Sequence, residues 1–322
     1  MLAKGFKKLG HRVSIVTRTQ FSESEFEGIP VYCFPSNREL LTLAKSADIL
    51  LQVEASWKDA LPFILCRVPW FPTMHFGFPL RHTSLREKVS LHFLKLAFCL
   101  GNTIAVGDEV AKSWRIKTHV VANPYDSEIF HLPVAQNPIR DIDILFVGRI
   151  EASKGIFHLL ESLKLLTNQN PSPLTCCFIG EGCDSQALQD VSQDIPHNLN
   201  ITFTGRLPPE AVAGWMRRSR ILAFPTTSNW IEASPLTPLE AIACGCRIVA
   251  TDNGGTSENI SPQDILIPRD STLALHKALK SALSEKADAH PYPTDFLKTR
   301  HILPVIQKYL AIFELKKKSA SK

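Results

Sequence analysis

Ile144-Leu145-Phe146-Val147-Gly148-Arg149-Ile150-Glu151-Ala152-Ser153-Lys154-Gly155 is the stretch on which the fold turns. Four apolar residues in a row, bounded by a glycine, read as a strand buried on both faces, the kind that parallel sheets use. Ile156, Leu159, Leu160 and Leu163 then recur at helical spacing. Strand, glycine turn and helix make a βα unit whose loop lies at the carboxyl end of the strand. Backbone N–H groups at such a helix start favour an anion, and Arg149 and Lys154 can bracket a diphosphate. A surface loop with two solvated bases would carry the same residues, so the neighbouring segments have to decide.

The alternation continues in both directions. Downstream, Leu174 to Ile179, Ile201 to Thr204, Ile221 to Phe224 and Arg247 to Ala250 read as strands. Glu240 to Cys244 opens a helix that Gly245 closes, and Phe296 to Leu315 is a last amphipathic helix before a solvated KKKSASK tail. Upstream, Leu2, Phe6 and Leu9 mark a helix ended by Gly10. Strands follow at Val13 to Val16, Ile29 to Phe34, Ile49 to Val53, Pro69 to Met74 and Thr103 to Val106, with a long helix from Leu85 to Leu100. Val120 to Phe130 is a turn-rich loop and Leu132 to Arg140 a linker. The expected fold is α/β: two Rossmann-like, doubly wound domains facing each other across a crevice. Residues 1–135 form the first domain and 136–293 the second, with a helix over 294–316 packing back on the first.

Composition agrees with two soluble domains. The 322 residues are 44% hydrophobic and 21% charged, too long a chain for one ordinary core. A formal charge of +5 suits anionic small molecules or an acidic membrane surface and is too weak to argue for nucleic acid, which is not expected as a partner. Eight cysteines are scattered without a CxxC pair, and the Cys244-x-Cys246 pair reads as small buried hydrophobes in a cytoplasmic protein. The opening MLAKGFKKLGHR is charged throughout, unlike a signal peptide, and no segment is long and apolar enough to span a bilayer.

Two carboxylates stand eight apart in Glu232-Ala-Ser234-Pro235-Leu236-Thr-Pro-Leu-Glu240. Glu232 falls in the loop after the strand Ile221 to Phe224, and Glu240 in the first turn of the next helix. A carboxylate accepts two hydrogen bonds, which suits adjacent hydroxyls of a ribose or a hexose. The loop Asp252-Asn253-Gly254-Gly255-Thr256-Ser257-Glu258 has glycines that allow close backbone approach to a ligand.

These segments together resemble glycosyltransferase family 4, the retaining glycosyl transferases group 1 of GT-B fold. The resemblance rests on ILFVGRIEASKG, CFIGEG, ITFTGRL, the E-x7-E stretch running into LEAIACG, and IVATDNGGTSENI, in the family's order over Ile144 to Ile260. Weaker matches are LAKGFKKLGHRVSIVT, VPWFPTMH and VANPYDSEIF, the last similar to the family's N-G-V-D loop with Pro124 and Tyr125 substituted.

The resemblance implies a hexosyltransferase that takes a UDP-, GDP- or ADP-sugar, needs no cofactor or metal, and retains configuration. It assigns Arg149 and Lys154 to the donor diphosphate, with Gly148 at the loop's start. Glu240 would hold the ribose hydroxyls and Glu232 the transferred sugar. Ser234, Pro235 and Leu236 would line the donor between them, Gly205 and Arg206 would edge the base, and His75 would face the sugar from the first domain. Arg149, Lys154, Glu232 and His75 are the expected catalytic set. Read without the family, a lone His after an apolar strand is more often structural. Asp141-Ile142-Asp143 spells a D-x-D metal motif, but it precedes a strand instead of following one, so a metal role is not expected. Pro235 replaces a glycine common in relatives and removes a backbone donor.

The family begins with a strand and a Gly-rich loop ahead of the LAKGFKKLGH helix, and neither is in this sequence. The first sheet is therefore expected to lack a middle strand. The further expectation is a polypeptide whose start lies about 20–30 residues upstream, the length of a strand, a loop and half a turn. The acceptor, a saccharide, a lipid or another hydroxyl compound, is not legible. Two other classes stay open: a nucleotide-sugar-binding protein without turnover, and a nucleotide-sugar epimerase, which needs acid–base carboxylates in the first domain. Lys4, Lys7, Lys8 and Arg12 beside Leu2, Phe6 and Leu9, with Arg81, Arg86, Lys88 and Lys95 on an apolar helix, suit peripheral contact with an anionic membrane. A solvated helix face accounts for them equally.

Overall fold

A computed structural model describes residues 1–53, 56–76, 85–132, 139–169, 172–284 and 294–320. The chain divides into two compact units, Met1–Pro124 with Thr299–Lys322, and Tyr125–Lys298.

The first unit runs α1 (Leu2–Lys8), β1 (Ile15–Thr17), β2 (Glu25–Phe26), β3 (Ile29–Cys33), α2 (Asn37–Ser46) and β4 (Leu50–Val53). It continues through α3 (Trp57–Leu65), β5 (Trp70–Met74), α4 (Leu85–Leu100), β6 (Ile104–Ala105), α5 (Asp108–Trp114) and β7 (His119–Val120). The second unit follows with β8 (Ile142–Val147), a 3-10 turn at Ala152–Lys154, α6 (Ile156–Gln169), β9 (Leu174–Ile179), α7 (Ser185–Val191), β10 (Leu199–Gly205), α8 (Pro209–Arg218) and β11 (Ser219–Phe224). It ends with α9 (Leu236–Ala243), β12 (Arg247–Thr251), a 3-10 turn at Gly254–Asn259, β13 (Ile265–Ile267), α10 (Thr272–Ser284) and α11 (Thr294–Lys298). The last helix, α12 (Ile302–Ala320), returns to the first unit.

In the second unit one six-stranded sheet has the order β10-β9-β8-β11-β12-β13, parallel throughout. Counted from β8, this is the 3-2-1-4-5-6 order of a doubly wound domain, and its topological switch point lies between β8 and β11. Helices cover both faces. Ile144, Phe146 and Phe178 face a core with Leu159, Leu160 and Leu163 of α6, while Leu145, Leu222 and Ile248 face one with Leu239 and Ile242 of α9. Burial on both faces is why these strands read as unbroken apolar runs.

The first unit has the same alternation, but its described strands form two sheets. One is β1-β3-β2, with β1 and β3 parallel; the other is β4-β5-β6-β7, parallel throughout. β1 and β4 are therefore edge strands, and their exposure fits that place: Val16 and Val53 are exposed, whereas all of β5 is buried. Among the described residues no strand joins the two sheets. Phe71 and Ile104 pack with Val305, Tyr309 and Phe313 of α12, and Gly5 of α1 leaves no room for a side chain against Ile302 and Ile306.

Several boundaries differ from the sequence reading. Residues Tyr125–Leu132 belong to the second unit, because Tyr125 and Phe130 are buried in its core. The last predicted helix is two, α11 and α12, broken at Thr299–His301, and α12 continues through Ala320 where a solvated tail was expected. Of the cysteines, Cys176, Cys177, Cys244 and Cys246 are buried, but Cys99 and Cys183 are exposed. Most of the linker (133–138) and Arg81 lie outside the described residues, as do the side chains of Arg86 and Lys88. Among the described residues no helix is long and apolar enough to cross a membrane.

Candidate functional site

The loops after β8 and β11 meet at the switch point of the second unit. Between Gly148 and α6 the chain makes the 3-10 turn, which sets Lys154 directly ahead of Gly155. Gly155 has φ +74°, and a Cβ there would run into the Pro225 carbonyl after β11. Ser153 O accepts from both Thr227 N (2.9 Å) and Thr227 Oγ1 (3.0 Å), tying the two loops together. A Gly155→Ala substitution meets a left-handed φ and a backbone collision at once, so a stability loss of at least about 2 kcal/mol is expected by urea denaturation.

Across that junction Lys154 Nζ lies 2.6 Å from Glu232 Oε1, and Thr226 Oγ1 donates to the same oxygen at 2.9 Å. Glu232 is only 8% exposed. A carboxylate at that depth needs its cation, and removing either partner would strand a charge in a poorly solvated place. Arg149 is paired in turn with Glu151 at 2.6 Å, on the solvent side. Both cations lie over the indole of Trp230, Arg149 at 4.8 Å and Lys154 at 4.9 Å from the ring centroid. Trp230, Glu151 and Thr226 carry no motif of their own. A tryptophan in a polar loop two residues ahead of Glu232 was the one signal available.

The glycines of the third loop allow a close approach to the neighbouring loop. A Cβ at Gly254 or Gly255 would collide with the carbonyls of Glu232 or Ala233, and Gly255 N donates to Glu232 O at 2.8 Å. The close approach is to the neighbouring loop's backbone, and its effect is to hold Glu232. Asn259 Nδ2 donates to Ser234 Oγ at 3.1 Å from the same side.

α9 begins at Leu236, with Pro235 (φ −67°) as its N-cap, so Glu240 sits a full turn inside the helix and not in its first turn. Proline suits that start, where a missing N–H costs nothing. Burial pushes the Glu240 carboxyl up to about 7, and the neighbouring Asp126 carboxylate adds to the effect. Asp126 is held by its own turn, its carbonyl accepting from Phe130 N at 2.8 Å and its carboxylate from Glu128 N at 3.1 Å. The nearest sequence hint was the resemblance of VANPYDSEIF to a family loop, which assigned Asp126 nothing.

On the other flank, Gly205 (φ +70°) ends β10, and its carbonyl accepts from Gly180 N at 2.9 Å. Arg206 is exposed, with its N–H directed at Glu181 Oε1 (3.4 Å). His75 follows β5 in the first unit, where its Nε2 is 2.9 Å from Thr73 Oγ1. Asp141 and Asp143 stand at the amino end of β8, the end away from the Gly148 loop. Asp141 pairs with Arg218 and Asp143 with Arg220 at 3.0 Å.

The sequence comparisons fall on this same half. A family model described as "Glycosyl transferases group 1" matches residues 133–295. The chain belongs to that family. Among curated members, D-inositol 3-phosphate glycosyltransferase of Corynebacterium jeikeium is 32% identical over 124 residues, 37% of this chain and 29% of that protein. The enzyme of the same name from Jonesia denitrificans is 28% identical over 172 residues, 47% of this chain and 40% of that one. The chain thus matches well under half the length of these group 1 relatives. Solved structures extend the likeness over both units. A glycosyltransferase from Rickettsia africae superposes with a TM-score of 0.71 at 15% identity, covering 97% of this chain and 92% of its own. Anabaena Alr3699/HepE, solved in complex with UDP and glucose, gives 0.69 at 17% identity over 88% and 85%. The fold is the α/β fold of the GT-B glycosyltransferases.

Proposed function

We propose that this group 1 chain transfers a hexose from a nucleoside diphosphate sugar to a hydroxyl acceptor, with retention of configuration. The observation that carries the reading is the Lys154–Glu232 pair beside Arg149 at the carboxyl ends of β8 and β11. As the sugar–phosphate bond breaks, negative charge grows on the leaving diphosphate, and two cations ahead of α6 oppose it. Donor phosphate draws Lys154 away from Glu232, and the released carboxylate accepts from the sugar hydroxyls. Glu240 accepts from the ribose in its ionised form. The neighbour solved with UDP makes that nucleotide the first to test.

The test is calorimetry with UDP, GDP and ADP, then with the corresponding glucose donor. Glu240→Ala should weaken the free nucleotide. Glu232→Ala releases Lys154, so it should bind the nucleotide at least as tightly as wild type while losing about tenfold in affinity for the sugar-bearing donor. Equal losses for both ligands in both variants would remove the assignment.

The division of the first unit into two sheets favours a second reading, a chain that binds donor without turning it over. Radiolabelled donor that binds but is neither hydrolysed nor transferred would select it.

A further inference from the structure

We propose that Trp230 is a positioning residue for the donor diphosphate, its indole face serving as a common seat for Arg149 and Lys154. The proposal rests on the donor reading above. Two like charges share one ring, at 4.8 and 4.9 Å from its centroid, and so stand within about 10 Å of each other. Each also has a carboxylate, Glu151 for Arg149 and Glu232 for Lys154. An arriving diphosphate competes with those carboxylates for the N–H groups. It does not compete with the ring, which is neutral and attracts cations through its face. A guanidinium over an aromatic face keeps its N–H edge free for phosphate. Trp230 therefore holds the two cations in place while they exchange carboxylate for phosphate.

The seat is itself anchored. Asn253 Nδ2, buried, donates to Trp230 O at 2.8 Å and to Thr227 O at 2.9 Å, and Trp230 N donates to Thr227 O at 3.3 Å. The backbone is fixed from β12's loop, yet the residue is 43% exposed. The side chain is part of neither core cluster of this unit, and the two cations lie over its ring.

The experiment compares Trp230→Leu with Trp230→Phe, each first shown to melt like wild type, in titrations with UDP, uridine and pyrophosphate. Leucine keeps the apolar bulk and loses the face; phenylalanine keeps a face. Expected are an approximately tenfold weaker UDP and pyrophosphate affinity in the Leu variant, a loss of no more than about threefold in the Phe variant, and unchanged uridine binding in both. With donor and acceptor, the loss should appear in KM more than in kcat. UDP bound equally well by wild type and the Leu variant overturns the seat and leaves the donor reading standing. Equal losses in Leu and Phe variants also overturn it, assigning the effect to loop shape. Should wild type bind none of UDP, GDP or ADP, the donor reading falls and the seat with it. Where the Leu variant unfolds, the Phe variant decides alone: a loss beyond about tenfold contradicts the proposal, and near-wild-type affinity supports it.

Discussion

Arg149→Ala and Lys154→Ala are each expected to lower turnover of a glucose-bearing donor by about 10²-fold at saturating donor. That is the scale for removing one preorganised charge stabiliser from a transition state. The two variants should differ in stability. Arg149 pairs with Glu151 near solvent, where an ion pair contributes little, so its loss should leave melting almost unchanged. Lys154 pairs with a Glu232 that is 8% exposed, and its removal leaves that carboxylate without its cation. Lys154→Ala should therefore be the less stable protein, and Lys154→Ala with Glu232→Gln should recover stability without recovering turnover. Near-normal turnover in both single variants would dismiss the diphosphate role. Recovery of turnover by the double variant would mean that Lys154 serves only to neutralise Glu232.

Glu240→Gln should stabilise the protein, and by an amount that grows with pH. The Glu240 carboxyl is raised from 4.5 to about 7, chiefly by desolvation and secondly by Asp126. An acid whose folded pKa is raised binds more protons folded than unfolded between those values, so stability falls as pH rises across that window. At about 1.4 kcal/mol per unit, the advantage of the uncharged glutamine should rise from about 1 kcal/mol at pH 5 to about 3 kcal/mol at pH 7.5. Denaturant titrations at the two pH values measure it, and a pH-independent difference would refute the assignment. The ligand gives a second measurement. Ribose hydroxyls that donate to Glu240 favour its ionised form, so binding of UDP-glucose, whose diphosphate is a diester with no group titrating in this range, should release a proton near pH 6.5. Calorimetry in buffers of different ionisation enthalpy would detect that release, and Glu240→Gln should abolish it.

Tertiary placement supplies what both results turn on. Lys154 and Glu232 are 78 positions apart in the chain, and their pairing follows from the insertion of β11 next to β8. No local pattern states that order. The depth that raises Glu240 also comes from elsewhere, from the packing of α9 and from the turn that brings up Asp126.

From the residues alone, the alternation of strand and helix, the doubly wound second half and the residues bound for its switch point were legible. Runs such as Leu174–Ile179 and the periodic face of α6 are local properties, and local periodicity is what burial on two sheet faces imposes. Arg149, Lys154 and Glu232 could be placed in loops at strand ends, which have fixed places in a parallel sheet, whereas their roles and that of Glu240, inside α9, rested on the family resemblance. Only the tertiary structure decided their partners. Trp230 lies under two cations, and Gly254 and Gly255 brace Glu232. Each of these is a through-space relation between segments distant in sequence. Its energy comes from desolvation, charge proximity and steric exclusion, and those exist only once the chain has closed on itself.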